Sequence, residues 1–289
     1  MLKSLLFVPG DSEKKMAKAG GTNASGLILD LEDSVAAERT DIARNMVRAY
    51  LLNRADRGRQ QLWVRINAFS DPACLPDLAA IVAGTPDGIM LPKVDSAHDV
   101  VVLDHYLTAL EHREGVAPGS IRILPVVTET PAAMFALSSY KGCSKRLAGL
   151  TWGAEDLSAA VGAESNHVEN GEYKFTYQLA RSLCLLGAHA ADVQAIETIS
   201  TNFRDKEALL RDVRASRRAG FNGKMAIHPD QVDTINSGFA RSEAEIALVK
   251  AVVQALEDAK LDAGAVQLDR RMLDKPHLVQ ALRMLSAVT

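Results

Sequence analysis

Glu129 stands in VVTETPAAM directly after an apolar run, and Asp156 stands in TWGAEDL, behind a glycine and at the threshold of a helix-like stretch. Two carboxylates in separate segments, with no cysteine or histidine cluster beside them, suit a hard, oxygen-preferring cation. Mg2+ takes one or two protein carboxylates and leaves the rest of its octahedron to substrate and water. Gly153 permits a tight turn into the helix, and the first backbone N–H groups of that helix could hold a substrate carboxylate. Arg65, in WVRIN, offers a permanently charged planar fork for a carboxylate or a carbonyl. It could equally form an ion pair with Asp30 or Glu32, and both arrangements can hold at once. Lys93, in MLPKV, opens a rival chemistry, a Schiff base with a carbonyl substrate, which needs a lysine of depressed pKa. Each charge also has a plainer reading, as an acid favoured by a helix dipole or a polar residue closing a strand.

These residues lie far apart in the chain and can converge only on a scaffold that repeats. Short runs rich in Val, Ile and Leu recur at 4–8, 26–31, 62–66, 88–91, 121–127, 147–152, 192–199 and 225–227, separated by helix-like stretches such as 41–53 and 206–219. Eight strand–helix units, with no G-x-G-x-x-G after the first strand, predict an α/β fold of the closed (β/α)8 TIM-barrel type rather than a doubly wound sheet. The C-terminal ends of such strands share one mouth. Asp30, Glu32 and Asp33 close the second strand, Arg65 and Asn67 the third, Lys93 the fourth, and Glu129 the fifth. Glu155 and Asp156 follow the sixth, Glu197 closes the seventh and His228 the eighth. A mouth lined this way is costly unless it binds something. Residues 1–235 form the expected barrel domain. Residues 236–289 form an appended C-terminal helical arm, with an amphipathic helix over 243–260, a looser stretch and a last helix starting near Pro276.

Composition narrows the partners. The 289 residues are 47% hydrophobic and 24% charged, enough for a large core, and the formal net charge of −3 argues against a nucleic-acid or anionic-membrane binder. Cys74, Cys143 and Cys184 are widely spaced, form no CxxC pair, and read as reduced thiols of the cytosol. The N-terminal apolar run is too short for a signal-peptide core, and no stretch approaches a membrane span, so a soluble cytoplasmic protein is expected.

The blocks KSLLFVPG, LILDLEDSV, WVRIN, IMLPKV, TETPAAM, GLTWGAEDL, GFNGKMAIHPDQV and RRMLDKPHLVQA, in this order and nearly end to end, resemble the citrate lyase β-subunit-like proteins of the HpcH/HpaI aldolase/citrate lyase family, relatives of malyl-CoA and citramalyl-CoA lyases. The resemblance implies a carbon–carbon lyase with a metal-chelated 2-oxoacid at the barrel mouth. By position it implies Glu129 and Asp156 as ligands of Mg2+, with Mn2+ as an alternative ion, and Arg65 as the substrate-binding arginine, with Glu129 also facing the substrate. It further implies a catalytic aspartate on the arm, matched by Asp274 in MLDKP, which reaches the site of a neighbouring subunit in a homo-oligomer, a trimer or hexamer. From the residues alone, Asp274 reads as an acid just ahead of a helix start. The chain departs from the pattern at Lys3, Glu197, Arg241 and Arg270, where arginine, aspartate, proline and glycine are common.

The expected reaction is reversible Claisen-type cleavage of a 3-hydroxyacyl-CoA thioester into an acyl-CoA and glyoxylate or pyruvate. Asp30, Glu32 and Asp33 are expected to support Arg65 and metal-bound water, and a lid is expected to keep water from the enolate. Lys14, Lys15 and Lys18 could meet coenzyme A phosphates but read better as a solvated helix face. Three other readings stay open: a metal-dependent aldolase acting on free 2-oxoacids, a citrate lyase β subunit served by an acyl-carrier protein, and a non-catalytic binding protein.

Overall fold

Branched apolar residues on short strands build the centre of the larger of two units. In the computed structural model the described residues are 1–54, 58, 60–258, 266–268 and 271–286, and the chain divides into Met1–Phe239 and Ala240–Thr289. The first unit carries eight parallel strands: β1 (Ser4–Pro9), β2 (Gly26–Asp30), β3 (Gln61–Arg65), β4 (Gly88–Leu91), β5 (Arg122–Pro125), β6 (Gly149–Thr151), β7 (Gln194–Glu197) and β8 (Gly223–Ala226). They run in the order β5-β4-β3-β2-β1-β8-β7-β6. Parallel bridges Ile123–Leu147 and Val126–Thr151 join the two edges, so the sheet closes on itself as the expected (β/α)8 TIM barrel.

Side chains alternate across the sheet. Leu5, Ile28, Trp63, Met90, Leu124, Ile196 and Met225 fill the barrel, while neighbours such as Leu27, Leu29, Leu62, Val64, Ile89 and Ala195 face the helices. Trp63 is accommodated because residue 88 is glycine: a Cβ there would stand 2.2 Å from the indole ring. Around the barrel run α1 (Glu13–Gly20), α2 (Thr40–Asn53), α3 (Cys74–Ile81), α4 (Ala97–Glu114), α5 (Glu155–Ala160), α6 (Phe175–Ala190), α7 (Lys206–Ala219) and α8 (Val232–Phe239). The repeat is uneven. Between β5 and β6 only the 3-10 turns Ala133–Phe135 and Leu137–Tyr140 stand where an α-helix is usual, whereas β6 and β7 are joined through both α5 and α6. Ser96 opens α4 with a capping box completed by Asp99, and Gly115 closes it in the left-handed region.

A buried ion-pair network fastens the N-terminal ends of β5 and β6. Arg146 Nη1 and Nη2 donate to Glu111 at 2.6 and 2.7 Å, and its Nε donates to Asp104 at 2.5 Å. Glu111 also accepts the N–H groups of Gly119 and Ile121. Burial works to raise the Glu111 carboxyl, but the hydrogen bonds from Arg146 and these N–H groups outweigh it and hold the group below the usual glutamate range.

The second unit holds α9 (Glu243–Asp258), an antiparallel ribbon of β9 (Val266–Leu268) and β10 (Arg271–Leu273), and α10 (Lys275–Ser286), with α9 packed on α10. The stretch expected to be loose thus contains a ribbon. Lys260, the expected end of the first arm helix, and Arg270 lie outside the described residues. Among the described residues no helix is long and apolar enough to cross a membrane. Cys74 and Cys184 are buried free thiols, and Cys143 is free and half-buried.

Candidate active site

Asp30 and Arg65 end adjacent parallel strands in direct register and share the inward parity of Ile28 and Trp63. Their pairing is bidentate: Arg65 Nε donates to Asp30 Oδ1 at 2.6 Å and Nη2 to Oδ2 at 2.7 Å. Asp30 also accepts the N–H groups of Glu32 and Ser34, both at 3.1 Å. Burial acts to raise the Asp30 carboxyl, yet Arg65 outweighs it and keeps the group below the usual aspartate range. Arg65 Nη1 lies 2.9 Å from Glu32 and 3.3 Å from Asp33, and the guanidinium sits 4.9 Å from the centre of the Phe7 ring. Three acids and an aromatic face thus lock the arginine at the barrel mouth.

Across the mouth, Glu129 and Asp156 are brought together by the loops after β5 and β6. Gly153 N–H donates to Thr128 Oγ1 at 3.1 Å, and that hydroxyl donates to Gly153 O at 3.2 Å, which clamps the two loops. Gly153 serves by its missing side chain: a Cβ there would stand 3.0 Å from both Glu129 Cγ and Oε1. Glu129 Oε2 accepts the N–H of Lys93 at 2.6 Å. Burial, and then the charge of Asp156 at the head of α5, push the buried Glu129 carboxyl up to about 8. Burial likewise raises Glu32, to about 7, against the pull of Arg65 and Lys93.

Arg65, Asp30, Asp33, Glu129, Glu155 and Asp156 line a cavity of about 370 Å3, walled by Phe7, Val126, Trp152 and Met225. That volume suits a small metabolite. Asn166 Nδ2 donates to Glu155 at 2.9 Å and fixes that acid at the rim. Among the described residues no three His, Cys, Asp or Glu side chains gather as a metal cluster. The donor set nevertheless fits Mg2+ or Mn2+. Two hard carboxylates face one cavity, the charge of Asp156 raising the cost of ionising Glu129, and a divalent ion that takes substrate and water oxygens needs no more protein ligands.

Lys93 lies behind this pair. Its ammonium pairs with Glu32 and lies 3.4 Å from Asp33 and 3.5 Å from Asp156. Burial acts to lower its pKa, but these carboxylates prevail and hold it above the ordinary lysine range. A Schiff-base lysine needs the opposite shift, so the imine chemistry entertained for Lys93 loses its physical basis.

Three expectations are corrected by position. Glu197 has outward parity with Ala195 and is buried under Trp152 Nε1, Arg181 and Ser216, away from the mouth. Asn67 binds Asp77 through both its backbone N–H and its side chain, and lines a neighbouring cavity of about 740 Å3. His228 is absent from the lining of the mouth cavity. It stacks on Phe203 at 4.6 Å and accepts the Asp230 N–H. Gly153 lies in the short link from β6 to α5, as expected, and also makes room for Glu129. Lys14, Lys15 and Lys18 are solvent-facing on α1. Asp274 belongs to the second unit, where it directly precedes α10 with Oδ1 2.5 Å from His277 Nδ1. Phe7 and Thr128 are not among the residues expected at the mouth. The strand parity of Phe7 with Leu5 was the available signal for the first, and nothing local marks the second.

The family model for HpcH/HpaI aldolase/citrate lyase matches residues 3–229. Citrate lyase subunit beta of Haemophilus influenzae is 31% identical over 280 residues, 96% of this chain and 94% of that protein. The (3S)-malyl-CoA thioesterase of Cereibacter sphaeroides is 30% identical over 286 residues, 98% of this chain and 93% of its own length. Among solved structures, the protein CitE of Mycobacterium tuberculosis in complex with magnesium, acetoacetate and coenzyme A superposes with a TM-score of 0.80 at 30% identity, covering 99% of this chain and 97% of that one. With the barrel, the ordered motif blocks and these matches agreeing, the chain belongs to the HpcH/HpaI aldolase/citrate lyase family, a family of lyases.

Proposed function

We propose that the protein is a Mg2+-dependent carbon–carbon lyase that cleaves, or forms by Claisen condensation, a 3-hydroxyacyl-CoA thioester such as malyl-CoA or citramalyl-CoA. The products are acetyl-CoA or another acyl-CoA and glyoxylate or pyruvate. The observation that carries this reading is the opposition, across one small cavity, of the locked Arg65 guanidinium and the Glu129 and Asp156 carboxylates, the first of them pushed up by burial and by the charge of the second. The magnesium, acetoacetate and coenzyme A bound by the M. tuberculosis protein support it.

Glu129 and Asp156 would hold the ion, which supplies Lewis-acid polarisation of the oxoacid carbonyl and a template for its carboxylate. Arg65, unable to give up its proton, offsets negative charge on the oxygen that is hydroxyl in the thioester and carbonyl in the oxoacid. In the cleavage direction the hydroxyl loses a proton, the bond between C2 and C3 breaks, and its electron pair passes to the thioester enolate. One proton is returned to the enolate carbon to give the acyl methyl or methylene group. Asp274 of a neighbouring subunit is the proposed carrier of that proton, in a cytoplasmic homo-oligomer, a trimer or hexamer. Asp30 holds Arg65 in the plane this requires.

The test is product analysis with purified protein, Mg2+ and malyl-CoA or citramalyl-CoA. The proposal expects glyoxylate or pyruvate to appear in step with acetyl-CoA and to vanish with EDTA. Free coenzyme A and malate without glyoxylate would make the protein a thioesterase. Turnover of free 2-hydroxy or 2-oxo acids without any effect of coenzyme A would favour the aldolase alternative. Activity on an acyl-carrier-protein thioester alone would favour a citrate lyase β subunit.

A further inference from the structure

Lys93 carries two features that its ion pairs alone do not explain. Its backbone lies in the left-handed region, φ +51°, which non-glycine residues seldom occupy. In that conformation its main-chain N–H meets Glu129 Oε2 at 2.6 Å while its ammonium lies 3.5 Å from Asp156 Oδ1 and pairs with Glu32. One residue therefore touches both carboxylates of the pair, one through its main chain and one through its side chain, and ties them to the acids that surround Arg65.

We propose that Lys93 is a positioning residue that sets the separation and orientation of the Glu129 and Asp156 carboxylates before a divalent cation arrives. The proposal rests on the reading above that these two acids hold the ion. Two carboxylates left to themselves turn apart, and a cation must then spend binding energy to reassemble them. The N–H bond fixes the rotation of Glu129, and the ammonium draws Asp156 toward the same side of the cavity. A bystander cation would act differently. Lying beside the site, a lysine that merely balanced charge would repel a divalent ion, so its removal would tighten metal binding. A lysine that holds the two ligands in place weakens metal binding when it is removed, although a positive charge has been taken away. The two roles predict opposite signs.

The experiment is titration of the full-length protein with Mn2+, free Mn2+ being followed by electron paramagnetic resonance without substrate or turnover. In Lys93→Met, Mn2+ affinity is expected to fall by about tenfold or more, the size seen when groups supporting metal ligands are removed. Lys93→Arg, which keeps the charge and the backbone N–H, is expected to stay within about threefold of wild type. Lys93→Gly keeps the N–H, tolerates the positive φ and lacks the ammonium, so it replaces the Met variant should that chain fail to fold, and the same loss is expected of it. Unchanged or tighter Mn2+ binding in the folded Met or Gly variant overturns the proposal. Glu129→Gln and Asp156→Asn are titrated alongside. If they bind Mn2+ like wild type, the metal reading itself falls and takes this proposal with it. If they lose Mn2+ while Lys93→Met does not, only the role given to Lys93 is wrong.

Discussion

Two arginines are buried among acids at opposite ends of the barrel, and they behave in opposite ways. Arg146, at the N-terminal end of β6, spends its donors on Glu111 and Asp104, and Glu111 takes two backbone N–H groups as well. Both acids are held below their ordinary pKa ranges. Arg65, at the C-terminal end of β3, is also gripped by a bidentate acid, but the ion pairs at this mouth set Asp30, Glu32, Asp33 and Asp156, with Glu129 beside them, against Arg65 and Lys93 among the described residues. There Glu129 and Glu32 are pushed up, and the surplus of acid borders a cavity. The first network is complete in itself and fastens strands. The second is left short of positive charge, which is the state expected of a site that awaits a cation and an anionic substrate.

That contrast can be broken by substitution. Glu129→Ala or Asp156→Ala is expected to lower metal-dependent turnover by more than about a hundredfold while the protein stays folded, measured as 2-oxoacid release alongside circular dichroism. Unchanged Mg2+ dependence in either variant would remove that residue from the metal. Arg146→Ala should do the reverse. Stranding Glu111 in the interior is expected to cost about 3–5 kcal/mol, read as a fall in Tm of roughly 10 °C, with turnover per folded molecule unchanged. A smaller effect tests the proposed sharing of the site: inactive Arg65→Ala and Asp274→Ala chains, co-assembled, should recover part of the lost activity, and none should return if Asp274 serves its own chain or no site.

The pH response sharpens the same comparison. A glutamate whose folded pKa lies above its unfolded value binds more protons in the folded state, so its contribution to stability declines as pH rises between the two values. For Glu129, with a folded value of about 8, and Glu32, at about 7, the window opens near the ordinary glutamate pKa of 4.5. The metal-free protein is expected to lose Tm gradually from pH 5 to pH 8, and Mg2+ is expected to raise Tm more at pH 8 than at pH 6. Glu129→Gln should flatten the first trend and abolish most of the second. The Arg146 network acts below this window, where protonation of Glu111 and Asp104 destabilises the fold.

Much of the barrel is legible in the chain because a buried parallel strand needs only a short apolar run, and the eight runs stand within a few residues of β1–β8. Legibility fades where the rule is uneven. The 3-10 turns after β5 carry no periodic pattern, and the ribbon β9–β10 rests on strands too short to announce themselves. Site residues divide by parity. Asp30 and Arg65 share the inward register of Ile28 and Trp63, whereas Glu197, equally strand-closing and equally charged, faces out with Ala195. Counting strand-closing charges without their parity therefore includes Glu197 wrongly.

The order of strands, the residue types at their ends and the pairing of acids with one arginine follow from the chain alone, because they depend on local periodicity and on the fixed geometry of parallel barrels. Only the folded molecule decided that Glu129 has room beside Gly153, that Thr128 clamps the two loops, and that Lys93 is a charged tether rather than a carbonyl-reacting amine. Those outcomes turn on the burial and the neighbours of each ionisable group. Both are sums over segments distant in sequence, and no window along the chain contains them.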